Sequence, residues 1–584
     1  MKLHAWSALV LLPLGSVTAA TAAVPDPVAT WAYIDHAWST LTRSMDDCSA
    51  LADSKMDGRP VLYLPADMTR PAGFDAIAAH CHVAVQVLPR VIQQLGDLSP
   101  TQLPKQGLLY LPNPYVVPGG FFNEMYGWDS YFIVLGLVAD QHEAMARGMV
   151  DNALFEVAHY GAVLNANRSY YLTRSQPPFL SSMIRAVLDD PASFPDKAAA
   201  TAWLRQAYPL AVRDHSTWTR PEHGAGNTGL ARYFGYGGAS PVREMQDSSY
   251  LRGVIDWLLA HPAQNPGYLL KASQHPDAAE MATLKDASCD VQASKVCAGA
   301  WSKGYRLRAD YFLGDRAMRE SGFDTTFRMG PFGGSTHHYA PVDLNSLLYR
   351  YEFDLHDFAE RLGLKADAQR WAAAAAARRV AINKYLWRPD RGMYMDYDFI
   401  AGKPSTYHFV SSYYPLWAGA ASPAQAASMR GKLTLFERKG GLQMSDHDSA
   451  AQWDAPFGWA PTNWLAIKGL DACGFHDDAR RLAHKFTGTI DRSLAADGTI
   501  RKKYNMASGN ADVRISAGYK ANVIGFGWTN GVYLKLQALQ RRPWLPARCC
   551  PSCVAVINAV RIRREIINKS ASARLDSSQQ AGFP

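Results

Sequence analysis

The chain has 584 residues, of which 48% are hydrophobic and 19% are charged. This composition can fill a large core, and it excludes an intrinsically disordered or collagen-like chain. The formal net charge is +8, but residues 541–584 hold eight basic and two acidic side chains, so the body is close to neutral. A nucleic-acid-binding protein usually carries its basic patch on the folded body, and we therefore expect no nucleic-acid partner.

The N-terminal residues have the pattern of a secretory signal peptide. Lys2 precedes an apolar stretch from Trp6 to Val17, and Ala20-Thr21-Ala22 has the form of a cleavage site. We therefore expect an exported protein, periplasmic or extracellular, that has no membrane span once the signal peptide is removed. We separately expect a monomer. The expected domains are a signal peptide at 1–23, one large folded domain at 24–540 and a flexible basic tail at 541–584.

Eight cysteines in an exported chain favour disulfide bonds. Cys289 and Cys297 bracket a short polar segment and are expected to pair, as are Cys48 and Cys81. The cluster CCPSC at 549–553 lacks a second cysteine or histidine pair at zinc spacing, so it predicts no metal site.

The body of the chain reads as mostly helical. Apolar residues recur at spacings of three and four across 146–157 and 344–362, and Gly363 is a plausible helix cap. Residues 371–382 are alanine-rich and helical by propensity. A unit of helix, apolar exit and glycine-containing loop recurs at 367–398 and 477–505. Paired helices of this kind favour a helical toroid with functional loops at one end. The sequence shows no run of alternating strands and helices, so we expect no parallel sheet.

Six segments are rich in Trp, Asp, Gly, Asn and Arg but have no helix or strand period. Such segments are loops, and loops on a rigid scaffold carry binding sites. An indole next to a carboxylate or a guanidinium suits a sugar, whose apolar face it covers while the charged groups bind the hydroxyls. The segments are PGGFFNEMYGWDSYF (118–132), NANRSYYLTRSQPP (165–178), TRPE (219–222), ESGFD (320–324), QWDAPFGWAPTNW (452–464) and GFGWTNG (525–531).

These segments resemble the trehalases, glycoside hydrolase family 37, in their order and separations. Residues 118–131 match the family signature PGG-(R)-F-x-E-x-Y-x-WD-x-Y except that Phe121 stands where the family has Arg. Residues 452–461 match the second signature, QWD-x-P-x-GWAP, in full. The resemblance covers about residues 30–540.

The resemblance implies an all-α (α/α)6 barrel and the inverting hydrolysis of α,α-trehalose to two glucoses, without a metal or cofactor. It places the general acid at Asp324, where Phe323 offers an apolar neighbour that would raise the pKa of the carboxyl. A helix cap is the alternative role for Asp324. The substrate-binding residues that it implies are Trp128, Asp129, Asn165, Arg174, Ser175, Gln176, Arg220, Pro221, Glu222, Gly322, Trp453 and Asp454.

The general base is the point at which this chain departs from the family. Lys502 occupies the position of the family's catalytic Glu, and a protonated lysine cannot take a proton from water. Three explanations stay open: another acid serves, with Asp512 ahead of Asp446 and Asp448; the protein has lost most of its activity; or the sequence carries a point change. The alternative functions are accordingly a trehalose-binding relative without full catalysis and an exo-acting hydrolase of another α-glucoside.

His337 and His338 are the remaining candidates for metal ligands. Adjacent histidines point in different directions on a regular backbone, and no nearby acid cluster completes a site in the sequence. We therefore expect no metal there, and a loop histidine that bonds a sugar hydroxyl or the backbone.

Overall fold

A computed structural model describes residues 27–52, 55, 58–236, 249–271, 273–275, 278, 280, 301–515 and 522–541. Within these residues, six helices pack side by side in a closed inner ring, and six others alternate with them in sequence and form an outer layer. The inner helices are α2 (Gly127–Ala139), α4 (Leu180–Leu188), α6 (Val342–Leu362), α8 (Tyr414–Ala418), α10 (Ala460–Ala472) and α12 (Gly527–Arg541). The outer helices are α1 (Pro27–Leu41), α3 (Glu143–Tyr160), α5 (Lys197–Thr217), α7 (Lys365–Ala381), α9 (Pro423–Arg430) and α11 (His476–Asp497).

Burial distinguishes the two layers. Every residue from Gly127 to Leu137 of α2 is buried, as expected for a helix surrounded by neighbours. Helix α11 buries only one stripe, which includes Ala479, Leu482 and Phe486 at helical spacing. The predicted (α/α)6 barrel is confirmed. The predicted helices at 146–157 and 344–362 lie within α3 and α6, and the one at 371–382 extends one residue beyond α7. Gly363 adopts the left-handed conformation that ends α6, so its predicted capping role is also confirmed.

The first and last inner helices close the ring through two glycines. A Cβ added at Gly136 of α2 would overlap the Cα of Gly531 in α12, and a Cβ added at Gly531 would overlap the carbonyl oxygen of Phe132. The two backbones therefore approach more closely than any side chain allows, and this contact joins the two ends of the barrel sequence.

Short strands brace the loops. A three-stranded parallel sheet has Val61–Leu64 between Ala84–Val87 and Leu108–Leu109, which differs from the expectation of no parallel sheet. Strands of two to four residues are too short to give a periodic signal in a sequence. A second three-stranded sheet is antiparallel and has Tyr397–Asp398 between Tyr339–Ala340 and Lys403–Pro404. The other strands form antiparallel pairs, which are Thr42–Arg43 with Tyr115–Val116, Leu269–Lys271 with Tyr305–Leu307, Trp387–Arg388 with Met393–Tyr394, Glu437–Arg438 with Gly441–Leu442, and Phe457–Trp459 with Lys503–Asn505.

Further helices lie in the connections. The longer ones are Ser249–Ala260 and Ala309–Glu320, both between α5 and α6, and shorter α-helices are Cys48–Leu51, Phe74–His80 and Leu433–Phe436. Ile382–Leu386 is a π-helix, and the 3-10 turns are Pro100–Gln102, Ser169–Tyr171, Pro221–His223, Gly226–Thr228, Pro262–Gln264, Pro331–Gly333, Thr336–His338 and Val410–Tyr413.

Five sequence predictions concern cysteines or chain ends. The Cys48–Cys81 disulfide is present and is confirmed. The Cys289–Cys297 pair, the cluster at 549–553, the signal peptide at 1–23 and the tail from 542 onward lie outside the described residues. In the described part of the chain, no helix has both the length and the apolar character needed to cross a membrane.

We expect the substitution Gly531→Ala to lower the stability of the barrel, because the new methyl group must displace the backbone of α2. Overpacking of this kind costs about 1–3 kcal/mol or more. The matched control is Gly253→Ala, an exposed helical position with no heavy atom within 4 Å of the added Cβ. Thermal unfolding at one scan rate should show a lower midpoint for Gly531→Ala and an unchanged or higher one for Gly253→Ala; equal midpoints would contradict the role of the glycine contact.

Candidate active site

A pocket opens at the end of the barrel where the inner helices begin. Its walls come from the first turns of α2 and α12 and from the loops that precede α4, α6, α10 and α12. Alternate helices of the barrel run in opposite directions, so the N-terminal ends of all the inner helices face the same side. Eight of the predicted site residues line this pocket, namely Trp128, Asp129, Asn165, Arg174, Gln176, Gly322, Asp324 and Trp453.

Aromatic rings from four different motifs form much of the wall. Trp128 lies edge-on to Trp528 at 5.5 Å and tilted against Trp453 at 5.7 Å, measured between ring centroids. Trp453 in turn stacks on Trp459 at 3.8 Å with nearly parallel planes. These contacts fix the indoles before any ligand arrives, so the apolar surface offered to a sugar ring is already in place.

Gly322 is required by this aromatic wall. It has a φ of +74°, and a Cβ there would lie 2.9–3.0 Å from the indole of Trp128. Glycine therefore allows the chain to turn toward the pocket and place the next residues against the tryptophans.

Asp324 lies in the loop that follows the helix Ala309–Glu320 and lines the pocket, so it does not begin a helix. One carboxylate oxygen, Oδ2, is 3.6 Å from Nη1 of Arg319, and the side chain is only 18% exposed. Burial raises the pKa of Asp324, against the opposing effects of Arg319, Lys502 and Arg174. Phe323 packs edge-on against both Trp128 and Trp453 and supplies the apolar neighbour that the sequence predicts.

Asp129 is the second carboxyl on the pocket wall. It lies in the first turn of α2 and is 4% exposed. Burial raises the pKa of Asp129 to about 7, with Lys502 opposing and Asp324 reinforcing the shift. Among the described residues that line the pocket, Asp129 and Asp324 are the acids.

Arg174 lines the pocket with buried hydrogen-bond donors. The residue is 3% exposed, and its guanidinium lies 4.9 Å from the ring centre of Tyr171. Within the described part of the chain, its Nε and Nη1 have no hydrogen-bond partner. Buried donors without acceptors cost free energy, so a ligand hydroxyl that accepts hydrogen bonds from them would be bound favourably.

The loop that carries Arg174 is held by its own backbone. Asn165 N–H donates to the carbonyl of Arg174 at 2.9 Å, and its carbonyl accepts from Gly127 N–H at 3.1 Å. Gln176 Oε1 accepts from the Trp128 N–H at 3.1 Å. These bonds fix the predicted binding residues to the start of α2.

Lys502, which the family resemblance matches to a glutamate, lies on the pocket wall. The strand Lys503–Asn505 pairs with Phe457–Trp459, which places Lys502 beside the second signature. Its Nζ is 5.4 Å from the ring centre of Trp459 and 5.6 Å from that of Phe526, and the residue is 9% exposed. The ammonium also lowers the pKa values of Asp129 and Asp324, so it is close enough to affect both carboxyls.

Five predicted residues do not line the pocket. Ser175 is buried, and its hydroxyl donates to the carbonyl of Val163, so it stabilises the conformation of this loop. Arg220 donates to the Leu95 carbonyl at 3.0 Å and lies over the Tyr236 ring. Its neighbours Pro221 and Glu222 begin a 3-10 turn away from the pocket wall.

Asp454 is the fifth, and its contacts show why it is absent from the wall. Its carboxylate accepts from the Thr326 hydroxyl and the Phe327 N–H, each at 2.8 Å, and from Ser449. These hydrogen bonds tie Asp454 to the residues that follow Asp324.

The three acids considered as replacement bases also lie elsewhere. Asp446, Asp448 and Asp512 are exposed and do not line the pocket, and Asp446 contacts Nδ1 of His408 at 2.6 Å. A shifted loop that brings one of them to the position of Lys502 is not what this structure has.

Several pocket residues were not predicted individually from the sequence. Arg319 is held by Asp315, four residues earlier in the same helix, through two hydrogen bonds of 2.9 and 3.1 Å. The four-residue spacing of Asp315 and Arg319 in the sequence is typical of an ion pair on a helix. Only the fold shows that the same guanidinium also lies near Asp324. Gln452 accepts from Nζ of Lys503 at 2.8 Å and donates to the carbonyl of Asp324. The other unpredicted wall residues are Pro118, Phe122, Tyr126, Tyr171, Phe526 and Trp528.

Comparison with known proteins gives a consistent result. A family model described as Trehalase matches residues 36–540. The cytosolic neutral trehalase of Beauveria bassiana is 32% identical over 86% of this chain and 72% of its own length. That of Saccharomyces cerevisiae is 33% identical over 85% of this chain and 69% of its own length. The solved structure of neutral trehalase Nth1 from Saccharomyces cerevisiae is 29% identical with a TM-score of 0.70, covering 88% of this chain and 94% of that one.

The names of these relatives contradict the expectation of an exported protein. They are cytosolic neutral trehalases, so the prediction of a signal peptide and of a periplasmic or extracellular location is wrong by this comparison. The prediction depended on one lysine, an apolar stretch and a pair of small residues. That pattern describes composition only, and it does not establish that the segment is translocated.

The family match spans most of the chain, relatives at about one-third identity cover more than four-fifths of it, and the barrel is shared with a solved trehalase. The chain therefore belongs to the trehalase family and is a glycoside hydrolase.

Proposed function

We propose that this chain hydrolyses α,α-trehalose to two glucose molecules with inversion, and that Asp324 is the general acid. The observation that carries the proposal is the position of Asp324, a shielded carboxyl between tryptophan walls and the unsatisfied donors of Arg174. A general acid must be protonated when it meets the glycosidic oxygen, and burial favours that form. Trp128, Asn165, Gln176 and Trp453 would position the sugar units.

Inversion needs a second carboxylate that activates water, about 6.5–9.5 Å from the acid. Lys502 stands where that group is expected. Asp129 is the other carboxyl of the pocket, and its pKa of about 7 would leave it partly ionised near neutral pH. The departure lowers the expected turnover, since a positioned general base contributes about 10²- to 10⁴-fold to the rate.

Lys502 also supports a second candidate function. With an ammonium in the base position, the pocket retains the groups that bind a disaccharide and lacks the one that activates water. A trehalose-binding relative with impaired catalysis is consistent with this arrangement.

A proton NMR time course on trehalose distinguishes these possibilities. Inversion yields α- and β-glucose in equal amounts before mutarotation, because one glucosyl unit is inverted and the other is released as it was. Two α- or two β-anomers would exclude inversion. Trehalose binding by calorimetry without glucose release would select the second candidate, and a panel of α-linked glucosides would reveal another preferred substrate.

We expect Asp324→Asn to lower kcat by about 10²- to 10⁴-fold, because the amide cannot protonate the leaving oxygen. The dissociation constant for trehalose should stay within a few-fold, since the aromatic walls and Arg174 are untouched. The control is Asp446→Asn, which changes an exposed acid outside the pocket. Near-full turnover in Asp324→Asn would remove Asp324 from the acid role.

We expect Lys502→Glu to raise kcat by about 10²- to 10⁴-fold, since it supplies the missing carboxylate. Lys502→Gln is the matched control, because it removes the cation without adding a base. The difference between these two variants measures base catalysis alone. If both variants turn over trehalose at the same rate, the base lies elsewhere in the pocket.

The same pair of variants predicts a pH effect. The Lys502 cation lowers the pKa of Asp324, so Lys502→Gln should raise that pKa and keep the acid protonated to a higher pH. The alkaline limb of kcat/KM should therefore move to higher pH in Lys502→Gln than in the unmodified chain. Lys365→Gln, at an exposed position outside the pocket, should leave the profile unchanged. A shift to lower pH would contradict this electrostatic account.

A further inference from the structure

Two histidines and an aspartate converge outside the pocket. His337 and His338 end the 3-10 turn Thr336–His338, which precedes α6. Asp310 lies in the first turn of the helix Ala309–Glu320. The Nε2 atoms of His337 and His338 lie 3.0 and 3.2 Å from the same oxygen, Oδ1 of Asp310. We name these three residues the His-Asp cluster.

The expectation that these adjacent histidines diverge is wrong. Their ring centroids are 4.0 Å apart, and the planes are tilted by 45°. The expectation applied to regular backbone, whereas His338 is the last residue of a turn and Tyr339 is already extended. The acid that completes the group comes from a segment 27 residues earlier, which the sequence alone does not bring near.

The donor set fits a divalent transition-metal ion. Imidazole nitrogen and carboxylate oxygen bind Zn²⁺ at about 2.0–2.2 Å. In a tetrahedral site with bonds of that length, ligand atoms are separated by about 3.3 Å. The observed nitrogen–oxygen distances of 3.0 and 3.2 Å are close to this separation, and the three ligand atoms all lie within 4.8 Å of one another.

Solvent access completes the geometric case. The side chains of Asp310 and His338 are 46% and 25% exposed, whereas that of His337 is 6% exposed. An ion can therefore enter from solvent and keep water in a fourth position, while His337 anchors it from the protein side.

We propose that Asp310, His337 and His338 bind Zn²⁺ in a three-ligand, solvent-accessible site. The site is independent of the proposed function, because none of its ligands lines the pocket. Its affinity should be moderate. The Nδ1 atom of His337 has no hydrogen-bond partner among the described residues, and outer partners of ligating histidines are usually worth about 10- to 100-fold in affinity.

A bound ion would link the turn Thr336–His338 to the helix Ala309–Glu320. It would join the segment before α6 to the start of the helix that carries Arg319 and leads to Asp324. The His337 carbonyl also accepts from Nη1 of Arg232, whose Nε donates to the carbonyl of Glu222, each at 2.9 Å. The ion would thus stabilise the approach to both loops without contacting the substrate.

The test uses Co²⁺ as a spectroscopic probe and Zn²⁺ for calorimetry, with the full chain after treatment with EDTA. The variants are His338→Ala and Asp310→Asn, both at solvent-accessible positions that should not prevent folding. The matched control is His142→Ala, which disrupts the other acid–histidine group of the described chain, Asp35, Asp140 and His142. Circular dichroism confirms that each variant is folded.

We expect the unmodified chain and His142→Ala to bind one more equivalent of metal than His338→Ala, or to bind it at least tenfold more tightly. That additional equivalent should show no sulfur-to-cobalt charge-transfer band, since its ligands are nitrogen and oxygen. Zn²⁺ should raise the thermal midpoint of the unmodified chain and of His142→Ala more than that of His338→Ala or Asp310→Asn. Equal stoichiometry and affinity in all four proteins, or a loss confined to His142→Ala, would overturn the proposal.

Discussion

The pocket depends on the contact between α2 and α12, the first and last inner helices. Gly136 and Gly531 allow the two backbones to touch, and each helix presents a tryptophan of the wall from its first turn, Trp128 and Trp528. If the helices were held apart by even one methyl group, the rings would separate and the aromatic wall would open. The close helix packing that completes the barrel therefore also sets the distance between two sides of the site.

Burial affects the pKa values of the pocket carboxyls more than the neighbouring cations do. Arg319 is already neutralised by its bidentate contact with Asp315, so its effect on Asp324 at 3.6 Å is that of a partly compensated cation. Burial outweighs the three cations near Asp324 and raises its pKa. The same balance raises the pKa of Asp129 to about 7. Burial thus favours the protonated form of both carboxyls relative to an exposed aspartate, which suits the proposed role of Asp324 as a general acid.

The sequence predicts the barrel and half of the pocket well because both have local signals. Helical periodicity located α3 and α6, alanine-rich composition located α7, and the tryptophan-rich segments located Trp128 and Trp453, whereas Asp324 was located by the family resemblance. Other features depend on contacts between distant segments, and no local pattern encodes them. Asp454 belongs to the same motif as Trp453, yet successive side chains point to different sides, and the carboxylate holds a loop while the indole faces the pocket. The His-Asp cluster depends in the same way on a turn that brings two rings to one oxygen.

Lys502 shows how the pocket can hold a cation at a position where the family resemblance implies a glutamate. Its ammonium lies near the faces of Trp459 and Phe526 and acts on two carboxyls, so a cation at this place is stabilised by rings and charges that the barrel supplies for other reasons. A glutamate there would lose the attraction to the rings and would raise the pKa of both neighbouring acids by repulsion. The residue that suits the neighbouring rings and the residue that the resemblance assigns to water activation are therefore different at this position. The structure retains the aromatic walls and the guanidinium of Arg174 in either case, so substrate binding and water activation are separable properties of the same pocket.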